Sequence, residues 1–201
     1  MTRNHLFALP ARVLHWTMAV LILAMLLIGA GMVSTTTARY PELLAWHRPI
    51  GVFILLLALI RVGVRLTHRP PPLPNDLPPL MVAGAKGSHY LLYGLMLAMP
   101  LLGWGMQSAG GYPVLLWKGA VLPPILSHDP RLYGWLRYAH GLLGYAFFLL
   151  ILGHVGAALF HGLIRRDGVL ESMTGAADTH IEEPSVIDPL PVDPALPPAH
   201  D

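Results

Sequence analysis

The sequence predicts an all-α integral membrane protein: a four-helix bundle followed by a disordered, acidic, Pro-rich C-terminal tail. Three observations predict it. Of 201 residues, 54% are hydrophobic and only 12% charged. That is about half the ~25% typical of soluble domains, too little to clothe a globule of this size. Four long segments are almost free of charge, each long enough to cross a bilayer core of roughly 30 Å. The charges are also segregated. Of the 11 acidic residues, only Glu42, Asp76 and Asp129 precede Arg166, so the membrane part is basic and the tail acidic. A backbone in lipid must satisfy its own hydrogen bonds, which makes the spans helical.

The expected spans are about 12–33, 46–66, 82–107 and 135–163. Val13 to Val33 carries no charged residue. Arg3 and Arg12 before it resemble the basic start of a signal peptide. Against that reading, its apolar run exceeds the usual ~7–15-residue core and no clear cleavage site follows. From Ile50 to Leu66 the second span is interrupted only by Arg61 and Arg65; the third is interrupted by Lys86 and by Pro100, which should kink the helix or end it. Tyr138 to Ile164 has no Lys, Arg, Asp or Glu.

The connectors differ in kind. Residues 34–45 read as a short polar loop. Pro70, Pro71, Pro72, Pro74, Pro78 and Pro79 make the second connector stiff and extended. Residues 109–132 are partly apolar and suit a segment that lies on the membrane surface or covers a site. The bundle domain is placed at 1–168 and the tail at 169–201, where the composition is acidic and Pro-rich without periodicity. Four spans put both termini on one side. Arg3, Arg12, Arg61, Arg65, Arg69, Lys86, Arg165 and Arg166 fall there. Arg39, Arg48, Lys118, Arg131 and Arg137 fall on the other. This imbalance puts both termini in the cytoplasm.

The most informative pattern is histidine. His140 and His154 lie fourteen residues apart in the last span, close to four turns on one face and about 21 Å along the axis. An ionisable side chain inside a membrane marks a functional site by default. The alternation of the spans pairs His47 with His140 near the outer side, and His15 with His154 near the cytoplasmic side. A lone intramembrane His is explained by an interhelical hydrogen bond. Four that pair by depth point to two six-coordinate b haems, each held by two imidazoles from different helices. Gly51 and Gly144, each four residues after a His, and Gly153, Gly156, Ala157 and Ala158 around His154 leave room for a flat ring, although small residues are common at membrane helix interfaces. Zinc fits less well, because it wants four tetrahedral ligands together and the spans contain no Asp or Glu. The chain has no Cys, which excludes disulfides, iron–sulfur clusters and Cys-attached haem. Nothing resembles a nucleic-acid surface.

Other residues are weaker candidates. Arg61 and Arg65 suit haem propionates or lipid phosphates. Arg48, Lys118, Arg131 and Arg137 could serve the same roles outside. His161 suits a propionate, a substitute ligand or an interfacial position. His89, beside Tyr90 and Tyr93, could bind a quinone carbonyl or serve helix packing. His5, His68, His128, His180 and His200 read as loop or tail residues. Trp16, Trp46, Trp104, Trp117 and Trp135 read as an interfacial belt.

Five pieces together resemble the bacterial cytochrome b561 family: Arg12-Val-Leu-His15-Trp16, Trp46-His47-Arg48-Pro-Ile-Gly51, Leu59-Ile-Arg61-Val-Gly-Val-Arg65-Leu66, Gly87-Ser-His89-Tyr-Leu-Leu-Tyr93, and Tyr138-Ala-His140-Gly-Leu-Leu-Gly144 followed by His154. The resemblance covers about residues 5 to 168. It implies a four-helix membrane bundle with two b haems on His15, His47, His140 and His154. It also implies electron exchange with ubiquinone and, in some members, reaction with superoxide at the outer face. The expected function is a di-haem oxidoreductase between an outer-face donor or acceptor, superoxide being one, and the quinone pool. The alternative is a haem b anchor subunit of a larger dehydrogenase or hydrogenase complex. A His-lined transporter is the third class, and it predicts a colourless protein. Membrane lipids and a periplasmic redox partner are the expected contacts; oligomeric state is not legible.

Overall fold

The computed structural model describes residues 6–175. Four long helices run up and down. They are α1 (Leu9–Ser34), α2 (Arg39–Thr67), α3 (Pro79–Ala109) and α4 (Pro130–Leu159). The last continues through a π-helical turn, Phe160–Arg165, and is followed by a short α5, Val169–Thr174. α1 packs chiefly along α2, α2 along α3, and α3 along α4. One end of the bundle holds the start of α1, the α2–α3 connector and α5, tied by Phe7 to Ser172 and Arg165 to Asp76. The other end holds the α1–α2 connector and the segment before α4; it is called the hairpin end below.

The helix boundaries follow local chemistry. Pro10 and Pro79 stand in the first turns of α1 and α3, where the missing N–H costs no hydrogen bond. Asp129 caps α4, its Oδ1 accepting from the N–H groups of Arg131 and Leu132 at 2.8 and 3.1 Å. That cap starts α4 at Pro130, about a turn before the expected boundary. α2 starts at Arg39, so the expected loop over 34–45 shrinks to four residues between helices. Pro100 neither ends nor breaks α3, which runs on to Ala109; membrane helices accommodate an interior Pro when neighbours cover the freed backbone.

Two elements depart from the expectation. The 109–132 connector folds into a small antiparallel hairpin, β1 (Val114–Leu115) with β2 (Val121–Leu122), in register Val114 to Leu122 and Leu115 to Val121. β1 packs on α2 and α3, with Val114 buried. The tail was also placed too early. Residues 169–174 form α5, which buries Ser172 and covers the end of the bundle. Composition hid this because the helix is only six residues long and its stability comes from contacts far along the chain. The remainder of the expected tail, 176–201, lies outside the described residues, as do His5, His180 and His200.

The core is small and central. Met18 and Ile22 from α1, Ile54 and Ala58 from α2, Met96 from α3 and Phe147 from α4 form one buried cluster. The outward faces stay apolar, with Val20, Leu27, Leu56, Ile60, Leu142 and Leu149 all exposed, as lipid contact requires. α1, α2 and α4 with its π turn are long and apolar enough to cross a membrane. The expected third span, α3, is 31 residues long. Ser88 and His89 at one end and Gln107 and Ser108 at the other thin its apolar stretch, so length supports it better than composition.

Ala58 is fully buried, at 0% exposure, where the helices meet. Ala58→Phe should overpack this point by about 1–3 kcal/mol and lower the thermal midpoint in detergent. An unchanged midpoint would show that the bundle centre is not sealed.

Candidate functional site

At the hairpin end, His47 of α2 and His140 of α4 face each other, with ring centroids 6.1 Å apart and planes at 66°. The Nδ1 atoms of both are buried and have no hydrogen-bond partner. Neighbouring helices leave room for the rings by lacking side chains. A Cβ on Gly103 of α3 would come within 3.3 Å of His140 Cε1, and one on Gly29 of α1 within 3.9 Å of His47 Cε1. Gly51 and Gly144, the small residues expected beside these histidines, are met only by the methyl tips of Met25 and Met99, at 3.6 and 3.7 Å. Those tips are flexible and yield readily. Beside His47, Arg48 Nη2 donates to the buried Gln107 Oε1 at 2.6 Å.

Nearer the other end, His15 of α1 and His154 of α4 repeat the arrangement, with centroids 6.2 Å apart and planes at 56°. This pair sits in a denser polar cluster. Arg61 Nη2 donates to His15 Nδ1 at 2.9 Å, and Arg61 Nε donates to Tyr93 Oη at 3.2 Å. The His89 ring stands edge-on to His154 at 5.4 Å, and His89 Nδ1 donates to the Ala85 carbonyl at 2.6 Å. That bond places a proton on Nδ1 of His89. His89 and Tyr93, expected to meet a quinone carbonyl or to serve helix packing, thus stand within the His15–His154 cluster. Arg65 is exposed and takes no part. Arg61 is instructive because a guanidinium only donates. Its bond requires an unprotonated Nδ1 on His15 and leaves the ring proton on Nε2. Ligation through Nε2 needs the opposite tautomer, whose Nδ1–H would turn the guanidinium away and free it for an anion.

Each pair offers two neutral nitrogens, and none of the described residues form a cluster of three or more His, Asp or Glu suited to a bare metal ion. Two opposed imidazoles suit an iron whose other four positions a macrocycle fills. With metal–nitrogen bonds of about 2 Å and roughly 1 Å more to each ring centre, such a pair should show centroids about 6 Å apart. Both pairs do. The residues therefore fit haem b, and the donor set fits bis-imidazole ligation.

Two features escaped the sequence reading. Phe147, buried at 5% exposure, lies seven residues from each of His140 and His154. It therefore stands on their helix face between the two levels. The heptad-like spacing was visible, but a Phe in an apolar run carries no signal of its own. The second is Asp167. Its Oδ2 accepts from His161 Nδ1 at 2.7 Å and from Arg165 Nε at 2.9 Å, while Arg165 Nη2 reaches Asp76 Oδ2 at 2.6 Å. His161 is thereby engaged by Asp167 and stands apart from the ring clusters.

The family model for prokaryotic cytochrome b561 matches residues 6–176. The chain belongs to that family. As a member, it is a membrane haem b protein of electron transfer. Among curated relatives, cytochrome b561 homolog 2 of Escherichia coli (strain K12) is 28% identical over 82% of this chain and 89% of its own. A probable superoxide oxidase of Yersinia pestis is 28% identical over 63% of this chain and 72% of its own. Cytochrome b562 of Cereibacter sphaeroides is 27% identical over 80% and 89%.

In this cytochrome, Gly103→Val would drive a branched side chain into His140. It should lower haem content, while Gly63→Ala, with nothing within 4 Å of its Cβ, should leave content unchanged; equal content in both variants would refute the close approach. A second expectation concerns pH. Partial burial pushes the Asp167 carboxyl upward, but the hydrogen bonds from His161 and Arg165 outweigh it and hold it below the usual carboxylate range. A depressed value adds stability above the unfolded pKa of about 4 and loses it as pH falls through the folded one. Protease protection of residues 167–175 should therefore hold between about pH 8 and pH 5 and fade only in stronger acid. Loss already near neutrality would contradict the contact.

Proposed function

We propose that this chain holds two b haems, one on His47 and His140 and one on His15 and His154, and passes electrons between a partner at the hairpin end and a quinone at the other end. The observation that carries the reading is the repeat of one geometry at two levels: crossed imidazole pairs 6.1 and 6.2 Å apart, with both α4 members on one helix face. The haems supply one-electron chemistry; the protein supplies ligation, burial and access. The core around Met18, Met96 and Phe147 keeps water from the space between the levels. Arg61 is the cation available to an anionic haem edge. His89 and Tyr93 are the groups that would meet a quinone carbonyl such as that of ubiquinone.

Superoxide is the donor we favour at the hairpin end. Arg48, Arg131 and Arg137 place positive charge there, which steers small anions, and one relative carries the name of probable superoxide oxidase. The balance is simple: two superoxide ions lose one electron each and leave as O₂, and one quinone takes two electrons and two protons. The excess of Lys and Arg on the other side favours an inner-membrane protein with both termini cytoplasmic. A second reading, an electron-carrying anchor subunit of a larger complex, is favoured by the exposed Leu115, Trp117 and Val121 of the hairpin.

A reduced-minus-oxidised spectrum with a pyridine haemochrome count should give two b haems per chain. His47→Ala or His140→Ala should remove one haem and spare the other; loss of both from folded protein would refute the pairing. Quinone reduction under a steady superoxide flux should proceed with the purified protein alone. Its absence, with both haems present, would favour the anchor reading.

A further inference from the structure

The His15–His154 pair joins the first long helix to the last, although α1 packs chiefly along α2 and α4 along α3. The chain supplies its own tie between them. After the π turn, Arg166 (φ 51°) and Gly168 (φ 78°) adopt left-handed conformations and turn the backbone round. Residues 167–175 then lie across the ends of both helices. On the α4 side, Asp167 holds His161 and Arg165, and Leu170 covers Gly162 so closely that a Cβ there would clash. On the α1 side, three consecutive carbonyls each accept one donor. Ser172 O accepts from the Phe7 N–H at 3.0 Å, Met173 O from Trp16 Nε1 at 3.2 Å, and Thr174 O from Arg12 Nη2 at 2.9 Å.

These donors are not scattered along α1. Arg12 stands three residues before His15 and Trp16 directly after it, its ring edge-on to the imidazole at 5.3 Å. On the other helix, His161 lies two turns beyond His154 on a similar face. The segment thus grips α1 beside His15 and α4 two turns beyond His154. A loose end would instead leave these backbone carbonyls to water.

We propose that residues 167–175 form a positioning strap for the His15–His154 haem, holding α1 and α4 at the separation its two ligands need. The inference rests on the two-haem reading above. The His47–His140 pair lies at the opposite end, against Gly29 and Gly103, and is independent of the strap. Arg12, Trp16 and Asp167 act here through the ligands, as positioning residues.

The test compares the full-length wild type with a chain ending at Arg166 and with a full-length Arg12→Gln/Asp167→Asn variant. The readouts are haem count, the low-spin electron paramagnetic resonance signals and the two midpoint potentials, with His47→Ala identifying which signals belong to the His15–His154 haem. In both strap variants that haem should lose roughly ten-fold or more in affinity, as loss of supporting contacts around ligands typically does. Its signal and potential should move while the other haem keeps its own. Wild-type occupancy, signals and potentials in the strap variants would overturn the proposal. So would equal loss of both haems from protein that stays helical, since that marks a general structural role. If the truncated chain fails to fold, the double substitution, which keeps every residue position, decides. A wild type holding fewer than two haems would remove the underlying reading and the strap with it.

Discussion

An imidazole pair inside a lipid-facing bundle imposes most of what this structure contains. Each nitrogen is polar in a medium that offers no water, so each His must be met by something suited to it. The partners come from different helices, which must bring two rings to one depth and leave about 6 Å between them. Side chains elsewhere yield to that demand. Glycine replaces bulk at Gly29 and Gly103, where other helices pass the rings. Large packing residues retreat to the middle, where Met18, Met96 and Phe147 meet. The outer faces remain apolar, and association then rests on packing rather than on the hydrophobic effect.

The two levels are similar in ligand geometry and different in surroundings. The hairpin-end pair is spare: two buried Nδ1 atoms without partners and one neighbouring Arg–Gln contact. The other pair is wired to Arg61, Tyr93 and His89. Unequal surroundings of this kind are how a protein sets two haems of the same ligation to different potentials. His89 and Tyr93 stand in the cluster around His15 and His154.

Much of this was legible in the residues. His15, His47, His140 and His154 stood out because an ionisable group in an uncharged apolar run has few structural explanations, and the alternation of spans fixes their depth. Arg61 was legible as a cation near that level, but Arg65, four residues on, was not separable from it; it lies on a similar face one turn nearer the end of α2, where it is exposed. His89 and Tyr93 were found for a separate role and fell into the same cluster, since sequence distance says nothing of how close α3 comes to α4. The hairpin and α5 were missed because elements of two to six residues carry no periodicity and depend on distant contacts.

By itself, then, the sequence determined the class of protein, its four long helices, and the four histidines that the fold brings together in two pairs. Hydrophobicity and 3.6-residue spacing are local properties, and a membrane turns them directly into depth. The tertiary structure decided which glycines admit the rings, which arginine reaches His15, and that residues 167–175 fold back onto Arg12 and Trp16. Each of those is a contact between helices, set by rotation about the helix axis and by close approach. Neither quantity is written in the order of residues along one chain.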